Sequence, residues 1–273
     1  MAECSQDIFR VSSQTSRDLT AEDQELLDKQ DLVNEFKQRK IQAEAQRNWD
    51  KFYHRNKDNF FKDRNWSSDD LKLLCQDIDL TKPINYLEAG CGVGNMLFPL
   101  MTEYPNFKAF GFDFSKNAVR LLDERAKSLQ LSVETDCLDL SSPLIESIFS
   151  EQADLATLIF VLSAISPEKQ SIVVQNMRKF VKVGGTVVVR DYGVNDYAMI
   201  RFGRGSKLGD RLYARQDGTT AFYFKIEELV ENFTSTGHFE CVSKEYLHRL
   251  TINHKKGLKV PRVFVQARFV RLS

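Results

Sequence analysis

Three glycines at alternate positions, Gly90, Gly92 and Gly94, follow an apolar run that ends in Glu88. The stretch Tyr86-Leu-Glu-Ala-Gly-Cys-Gly-Val-Gly-Asn95 reads as a buried strand turning sharply into a helix. Glycine tolerates the backbone angles of such a turn and leaves no side chain between main chain and ligand. A loop of this kind belongs at the carboxyl edge of a parallel sheet, where a nucleoside-bearing cofactor lies against it. The chain is therefore expected to be an α/β protein.

The spacing narrows the ligand. A dinucleotide site favours G-x-G-x-x-G, the last glycine opening the helix against the pyrophosphate. Here the third glycine comes one place early and Asn95 fills the dinucleotide position. G-x-G-x-G after an acidic strand end resembles motif I of the class I methyltransferases, which bind S-adenosyl-L-methionine, a ligand without phosphate. Nineteen residues beyond Gly94, Phe107-Lys-Ala-Phe-Gly-Phe-Asp-Phe-Ser115 alternates apolar residues, ends on Asp113 and offers Ser115 as a helix N-cap. A carboxylate closing the second strand can accept both ribose hydroxyls, and Asp113 is given that role.

At 273 residues, 42% hydrophobic and 28% charged, the chain suits one large α/β domain with extensions, or two small domains. No apolar run reaches membrane-spanning length. Residues Met1 to Leu19 have no apolar signal core and carry Glu3, Asp7 and Asp18, which argues against secretory or mitochondrial import. Five scattered cysteines without a C-x-x-C pair suit the cytosol or nucleus rather than zinc or a disulfide framework. Cys91, inside the glycine loop, reads as a small packing residue. His54, His238, His248 and His254 show no metal spacing, so no metal is expected. The net charge is zero but uneven: residues 37–66 hold nine basic against four acidic side chains, and residues 190–273 fifteen against nine. The segment between them holds eleven against sixteen. Basic flanks around an acidic centre suggest a polyanion gripped by the extensions; plain solvated surface charge is the alternative.

Along the chain, residues 1–18 read as a mobile tail and 19–80 as a helical extension. Residues 81–273 read as the catalytic domain, with a basic insertion at about 192–224. Thr20-Ala-Glu-Asp23 resembles a capping box and opens one helix to about Gln46. Ser67 or Ser68 caps a short helix through Cys75. Strands are expected near 84–88, 107–113, 131–135, 153–160 and 185–190, and helices near 94–103, 115–129, 142–150 and 167–182. Gly184-Gly185 is read as the end of the last helix. Leu212 to Phe224 alternates around Asp217-Gly218, a hairpin signal, and a helix near 225–236 precedes two closing strands at about 240–248 and 261–270. The expected architecture is a Rossmann-like fold: a seven-stranded, mostly parallel sheet with helices on both faces.

The segment after the fourth strand, Leu158 to Pro167, contains no N/D-P-P-Y/F motif of the kind shared by exocyclic-amine methylating enzymes. No Pro-Cys pair offers the nucleophile of C5-pyrimidine chemistry. Ring nitrogens, oxygens or a non-nucleic substrate remain. Arg190-Asp-Tyr-Gly193 ends the fifth strand at the ligand-binding edge. It is either an Arg–Asp pair fixing a loop or a catalytic pair, Asp191 accepting from the N4 amino group of a cytosine attacked at N3.

Several blocks together resemble the eukaryotic tRNA N3-methylcytidine methyltransferases, of the methyltransferase-like protein six type. They are Trp49-x-x-x-Tyr53, Asn59-Phe-Phe-Lys-Asp-Arg64, Leu87 to Asn95, Phe160-Val-Leu-Ser-Ala164, Arg190-Asp-Tyr-Gly193 and Tyr213-x-Arg-Gln-Asp-Gly-Thr219. The resemblance spans about residues 20–271. It implies S-adenosyl-L-methionine-dependent methylation of cytidine N3 at position 32 of serine tRNA, with seryl-tRNA synthetase as a partner; a monomer is expected. It further implies that Trp49 and Tyr53 fold across the cofactor, that Glu88, Gly90, Gly92 and Gly94 form its loop, and that Asp139 and Ile159 line its pocket. Asp136 is a competing acid for the adenine end, and Asp139 fits the pattern better. Arg55, Lys57, Lys62 and Arg64, with Arg204, Lys207, Arg211 and Arg215, are candidate phosphate contacts. Tyr192 and Tyr213 are candidate faces for a splayed base. Two other classes stay open: a methyltransferase for small molecules or proteins, and a non-catalytic tRNA-binding adaptor.

Overall fold

The computed structural model describes residues 7–56, 66–143, 148–253 and 258–273. In chain order the elements are β1 (Asp7–Ser13), α1 (Ala21–Asp28), α2 (Glu35–Ala43), α3 (Ala45–Asn56), α4 (Trp66–Leu74), β2 (Ile84–Ala89), α5 (Leu97–Glu103), β3 (Phe107–Asp113), α6 (Lys116–Leu129) and β4 (Val133–Cys137). Then come β5 (Ala153–Ile159), α7 (Gln170–Phe180), β6 (Val181–Tyr192), α8 (Tyr197–Ile200), β7 (Lys207–Gly209), β8 (Leu212–Ala214), β9 (Thr220–Phe222), α9 (Ile226–Thr234), β10 (Phe239–Asn253) and β11 (Leu258–Arg271).

The main sheet has the order β1-β10-β11-β6-β5-β2-β3-β4. Strands β4, β3, β2, β5 and β6 run parallel, while β11, β10 and β1 add antiparallel pairs. Helices cover both faces, so β2 and β3 are buried almost throughout and read as apolar runs. One apolar cluster joins Leu87, Phe110, Phe112 and Val189 to α7 and α9; a second joins Tyr86, Phe107 and Val188 to α4 and α5. The chain leaves β2 for β3 on one side and enters β5 on the other, which opens a crevice at their carboxyl ends.

Three expectations change. Residues 7–13, read as tail, form an eighth strand on the antiparallel edge, Val11 opposite His248. The helix expected to run unbroken from Thr20 to Gln46 is three helices. Thr20 Oγ1 accepts from Asp23 N at 3.2 Å and Asp23 Oδ2 from Thr20 N at 3.2 Å, but the turn after Lys29 breaks the run, and Asn34 caps a new helix through Lys37 N at 2.9 Å. Helix α7 ends at Phe180, not at the glycine pair; Gly184 and Gly185 lie in an irregular stretch of β6, between Val181 opposite Ala153 and Thr186 opposite Leu155. The helix expected at 142–150 falls partly outside the described residues. The Asp217-Gly218 hairpin is present as β8–β9, within the separate three-stranded sheet β7-β8-β9.

Strand alternation sends Arg190 to the same face as Val188, towards α4. There its Nη1 donates to Asp70 Oδ2 at 2.7 Å, the two side chains 3% and 4% exposed, and the guanidinium also donates to Gln266 Oε1. A buried charge that loses its partner typically costs about 3–5 kcal/mol. Asp70→Ala is therefore expected to lower Tm by about 10 °C. Equal melting temperatures for wild type and Asp70→Ala would refute the pairing as a stabilising contact.

Candidate active site

The crevice is a cavity of about 450 Å³, within the range of small-molecule sites. Its floor is the loop after β2. Gly90 takes φ +73°, and a Cβ there would sit 2.5 Å from Val161 Cγ2. Gly92 takes φ +54°, and a Cβ there would meet the Tyr53 hydroxyl at 2.7 Å. Both positions therefore require glycine, for backbone and for space.

Asp113 holds this loop to the end of β3. Its Oδ2 accepts from Gly92 N at 3.0 Å and its Oδ1 from Ser115 N at 2.9 Å. Two of the carboxylate's roughly four lone-pair positions are used, leaving one per oxygen for a pair of hydroxyls. Asp113 lines the cavity, with Gly90 and Asp139. Burial pushes Asp113 up to about 6, against the bonds from Ser115 and Gly92 that favour the charged form. Glu88 sits behind the loop rather than on the cavity wall. It is buried, one carboxylate oxygen has no hydrogen-bond partner, and burial pushes it up to about 8.

Helix α3 straps the loop from above. Trp49 and Tyr53, one turn apart, line the cavity, and Tyr53 packs with Phe52, Val93 and Ala118. Asp50 Oδ1 accepts from Ser115 Oγ at 2.6 Å, and Gln46 Nε2 donates to the Phe114 carbonyl at 2.7 Å, fixing the strap to the start of α6. On the other side Asn48 Nδ2 donates to the Gly218 carbonyl at 3.0 Å, tying the strap to the hairpin tip. Further back, Gln30 Nε2 donates to the Met199 and Ile200 carbonyls, Val33 N to the Lys207 carbonyl, and Lys37 Nζ to the Gly205 carbonyl. The extension and the insertion thus close over the crevice as one cover, and Leu212 and Thr220 of the insertion line it.

Asp139 lines the cavity while its oxygens accept from Ser141 N, Ser141 Oγ and Ser142 Oγ. Asp136 is exposed and accepts from Cys137 N, away from the wall. Ile159 packs into the sheet; the neighbouring Phe160 and Val161 line the cavity in its place. Phe114, Leu138 and Gln46 also line it, and only their position beside Asp113, Asp139 and Trp49 in sequence hinted at that.

The proposed catalytic pair separates. Arg190 is a buried structural cation facing Asp70, on the far side of the sheet from the cavity contacts, so it is removed from the site. Asp191 is fully buried and is absent from the cavity lining. Its Oδ2 accepts from Ser163 N and its Oδ1 from Tyr192 N, both at 2.9 Å. It fixes the turn after β5 that carries Phe160 and Val161, and acts as a positioning residue. Burial pushes it up to about 6, and the Ser163 bonds oppose that rise.

Among the candidate RNA contacts, Arg55 and Arg204 are exposed and Lys207 is half-buried. Arg211 is instead paired bidentately with Glu228, at 2.6 and 2.8 Å. Arg215 is half-buried, donating to the Thr220 carbonyl at 2.7 Å. Tyr213 is buried, stacked on Phe202 at 4.6 Å and donating to Gln30 Oε1, so it offers no free face; Tyr192 stays half-exposed. Lys57, Lys62 and Arg64 lie outside the described residues. Among the described residues no helix is long and apolar enough to cross a membrane, and no group of three or more acidic, cysteine or histidine side chains is arranged to hold a metal ion.

A methyltransferase domain family matches residues 87–187, from β2 into β6. The chain is similar to the human tRNA N(3)-cytidine methyltransferase METTL6, 45% identical over 266 residues that cover 94% of this chain and 91% of that one. It is also similar to the Saccharomyces cerevisiae tRNA(Thr) (cytosine(32)-N(3))-methyltransferase, 34% identical over 244 residues covering 87% of this chain and 38% of that one. Among solved structures, an S-adenosylmethionine-dependent methyltransferase from Anabaena variabilis superposes with a TM-score of 0.62 at 17% identity, covering 83% of this chain and 95% of that one. At that identity the last likeness speaks for the fold.

Glu88 and Asp113 both have folded-state values above their unfolded ones. The folded chain therefore binds protons more tightly, and their contribution to stability falls as pH rises from the carboxylate range through those values. Glu88→Gln is expected to melt higher than the wild type at pH 8, with the gain shrinking as pH falls towards 4.5 and vanishing below that, where the carboxyl is protonated in both the folded and the unfolded chain. Parallel Tm curves across that window would show that Glu88 does not titrate with the fold.

Proposed function

This chain belongs to the tRNA N(3)-cytidine methyltransferases, and from that membership we propose that it forms 3-methylcytidine at position 32, the 5′ edge of the anticodon loop, of serine tRNA. It is an S-adenosyl-L-methionine-dependent methyltransferase, and N3 of a tRNA cytidine is its target atom. The observation that carries the reading is 45% identity over 94% of the chain, combined with a cavity walled by Gly90, Asp113, Trp49 and Tyr53. Position 32 is supported by the printed specificity of the yeast relative. Serine tRNA, and cooperation with its synthetase, are supported by the sequence blocks from Trp49 to Thr219 that resemble the methyltransferase-like protein six type.

The residues fit the cofactor. Asp113 presents the free lone pairs that a ribose needs, Asp139 borders the far end, and Tyr53 and Trp49 cover the loop. When bound, S-adenosyl-L-methionine supplies a methyl group on a sulfonium. Neutral cytosine carries no proton on N3, so its in-plane lone pair forms the new N–C bond as the S–C bond breaks and its electron pair stays on sulfur. No general base is required, and the ring becomes a cation. What the chain's own residues contribute is orientation and exclusion of water. Arg55 and Arg204, exposed on the strap and the insertion, are the cations that this reading assigns to phosphate contact.

The test is mass spectrometry of nucleosides after incubating the purified chain with the cofactor and tRNA lacking the modification. 3-Methylcytidine confined to position 32 of serine tRNA is expected, and Asp113→Ala should abolish it together with cofactor binding. Methylation of another atom, or none, would overturn the reading. The Asn48 bond to Gly218 is expected to contribute to strap closure: Asn48→Ala should raise the cofactor Kd by about 2- to 10-fold, the worth of one ordinary hydrogen bond, as read by calorimetry. An unchanged Kd would show that the strap closes without that bond.

A further inference from the structure

The aromatic side chains on the cavity wall divide into two groups. Trp49, Tyr53, Phe112 and Phe114 belong to the strap and the glycine-loop side, with Asp113. Phe160 stands on the opposite side, at the end of β5, next to the Val161 that touches Gly90. Its backbone is unusual: φ is +60°, in the left-handed region that a bulky L residue adopts only at an energetic cost. Two features hold it there. Phe160 N donates to the Arg190 carbonyl at 2.8 Å, and the turn that follows is fixed by the Ser163 N bond to Asp191.

Behind the ring lies a rigid backing. Phe160 packs on Tyr192 with centroids 4.9 Å apart and meets Phe264 edge-on at 5.6 Å. Tyr192 in turn has the Arg215 and Arg262 guanidiniums 5.5 and 5.9 Å from its ring, and Arg262 is anchored by Asp196 at 2.8 Å. Of the trio, Phe160 is the member that lines the cavity.

We propose that the Phe160 ring is the wall on which the target pyrimidine stacks, with Tyr192 and Phe264 backing it rather than meeting the base. The inference rests on the tRNA methyltransferase reading and assigns the base a specific side of the site. In-plane attack through N3 leaves both faces of the base free for stacking, and a fixed wall keeps the lone pair from rotating off the methyl. The aromatic face also favours a ring that becomes cationic over the neutral one, so the contact strengthens as reaction proceeds. A strained backbone that aims one ring into a cavity is a placement that packing alone does not call for.

The test uses the full chain saturated with S-adenosylhomocysteine and a tRNA anticodon stem-loop carrying pyrrolocytidine at position 32, whose fluorescence drops on stacking. Wild type and Phe160→Tyr are expected to quench the probe. Phe160→Leu should leave it bright, lower kcat on unmodified tRNA by about 10- to 100-fold, and raise the RNA Kd by about 5-fold or more, as the loss of one stacked base requires. Should Phe160→Leu fail to fold, Phe160→Gly, which suits left-handed backbone, serves the same comparison. Phe160→Leu or Phe160→Gly quenching and turning over like the wild type would overturn the wall while leaving the function intact. A wild-type chain that makes no 3-methylcytidine would overturn both readings together.

Discussion

One buried carboxylate organises the site. Asp113 is bonded through separate oxygens to Gly92 N and Ser115 N, so it locks the loop after β2 to the turn after β3. Those two turns are the floor of the crevice, and the strap rests on both: Tyr53 against Gly92, Asp50 on Ser115. Each contact depends on the others' geometry. A Cβ at Gly92 would displace the Tyr53 hydroxyl, and loss of the Ser115 position would free Asp50. The rise of Asp113 to about 6 measures the cost of holding this charge out of water, offset in part by its backbone donors.

The parallel sheet supplies only half of the cavity. Gly90, Asp113, Asp139 and Phe160 come from strand ends, but Trp49, Tyr53, Leu212 and Thr220 come from the two segments added to the sheet. These segments are stitched to each other by side-chain to backbone bonds from Gln30, Lys37 and Asn48. Such bonds are tolerant of sequence at the accepting end, because any residue presents a carbonyl. The extension and the insertion are therefore parts of the same body, joined at the hairpin tip through Asn48, the neighbour of Trp49 in sequence.

Much of this was legible beforehand where the determinants are local. The glycine loop, Asp113 at the end of β3, Ser115 as cap and the Asp217-Gly218 hairpin all depend on residues within a few positions of one another. Burial on both faces also made β2, β3 and β5 readable as apolar runs. The failures are non-local. Arg190 and Asp191 look like a pair in sequence, but pleating sends them to opposite faces, and the acid that meets Arg190 is Asp70, from a helix 120 positions away. Edge strand β1 offers only the brief alternation Phe9-Arg10-Val11-Ser12, too short to announce it; it pairs with the edge that β10 presents. Tyr213 was indistinguishable from Tyr192 until their surroundings were known: Gln30 and Phe202 enclose the first.

A reaction that needs no proton removed from its nucleophile changes what a buried acid near the site is for. Asp191 has both oxygens committed to backbone donors and no exposure, so it neither abstracts a proton nor reaches the base. Its charge still acts. With a value near 6, it is mostly ionised at neutral pH, and in a water-poor interior its field extends past the turn it holds. A base acquiring positive charge against Phe160 would feel that field without any direct bond, and a preorganised field involves little reorganisation at the moment of reaction. An acid, rather than an amide, suits so enclosed a position because both of its oxygens accept from backbone donors, which an amide nitrogen cannot do.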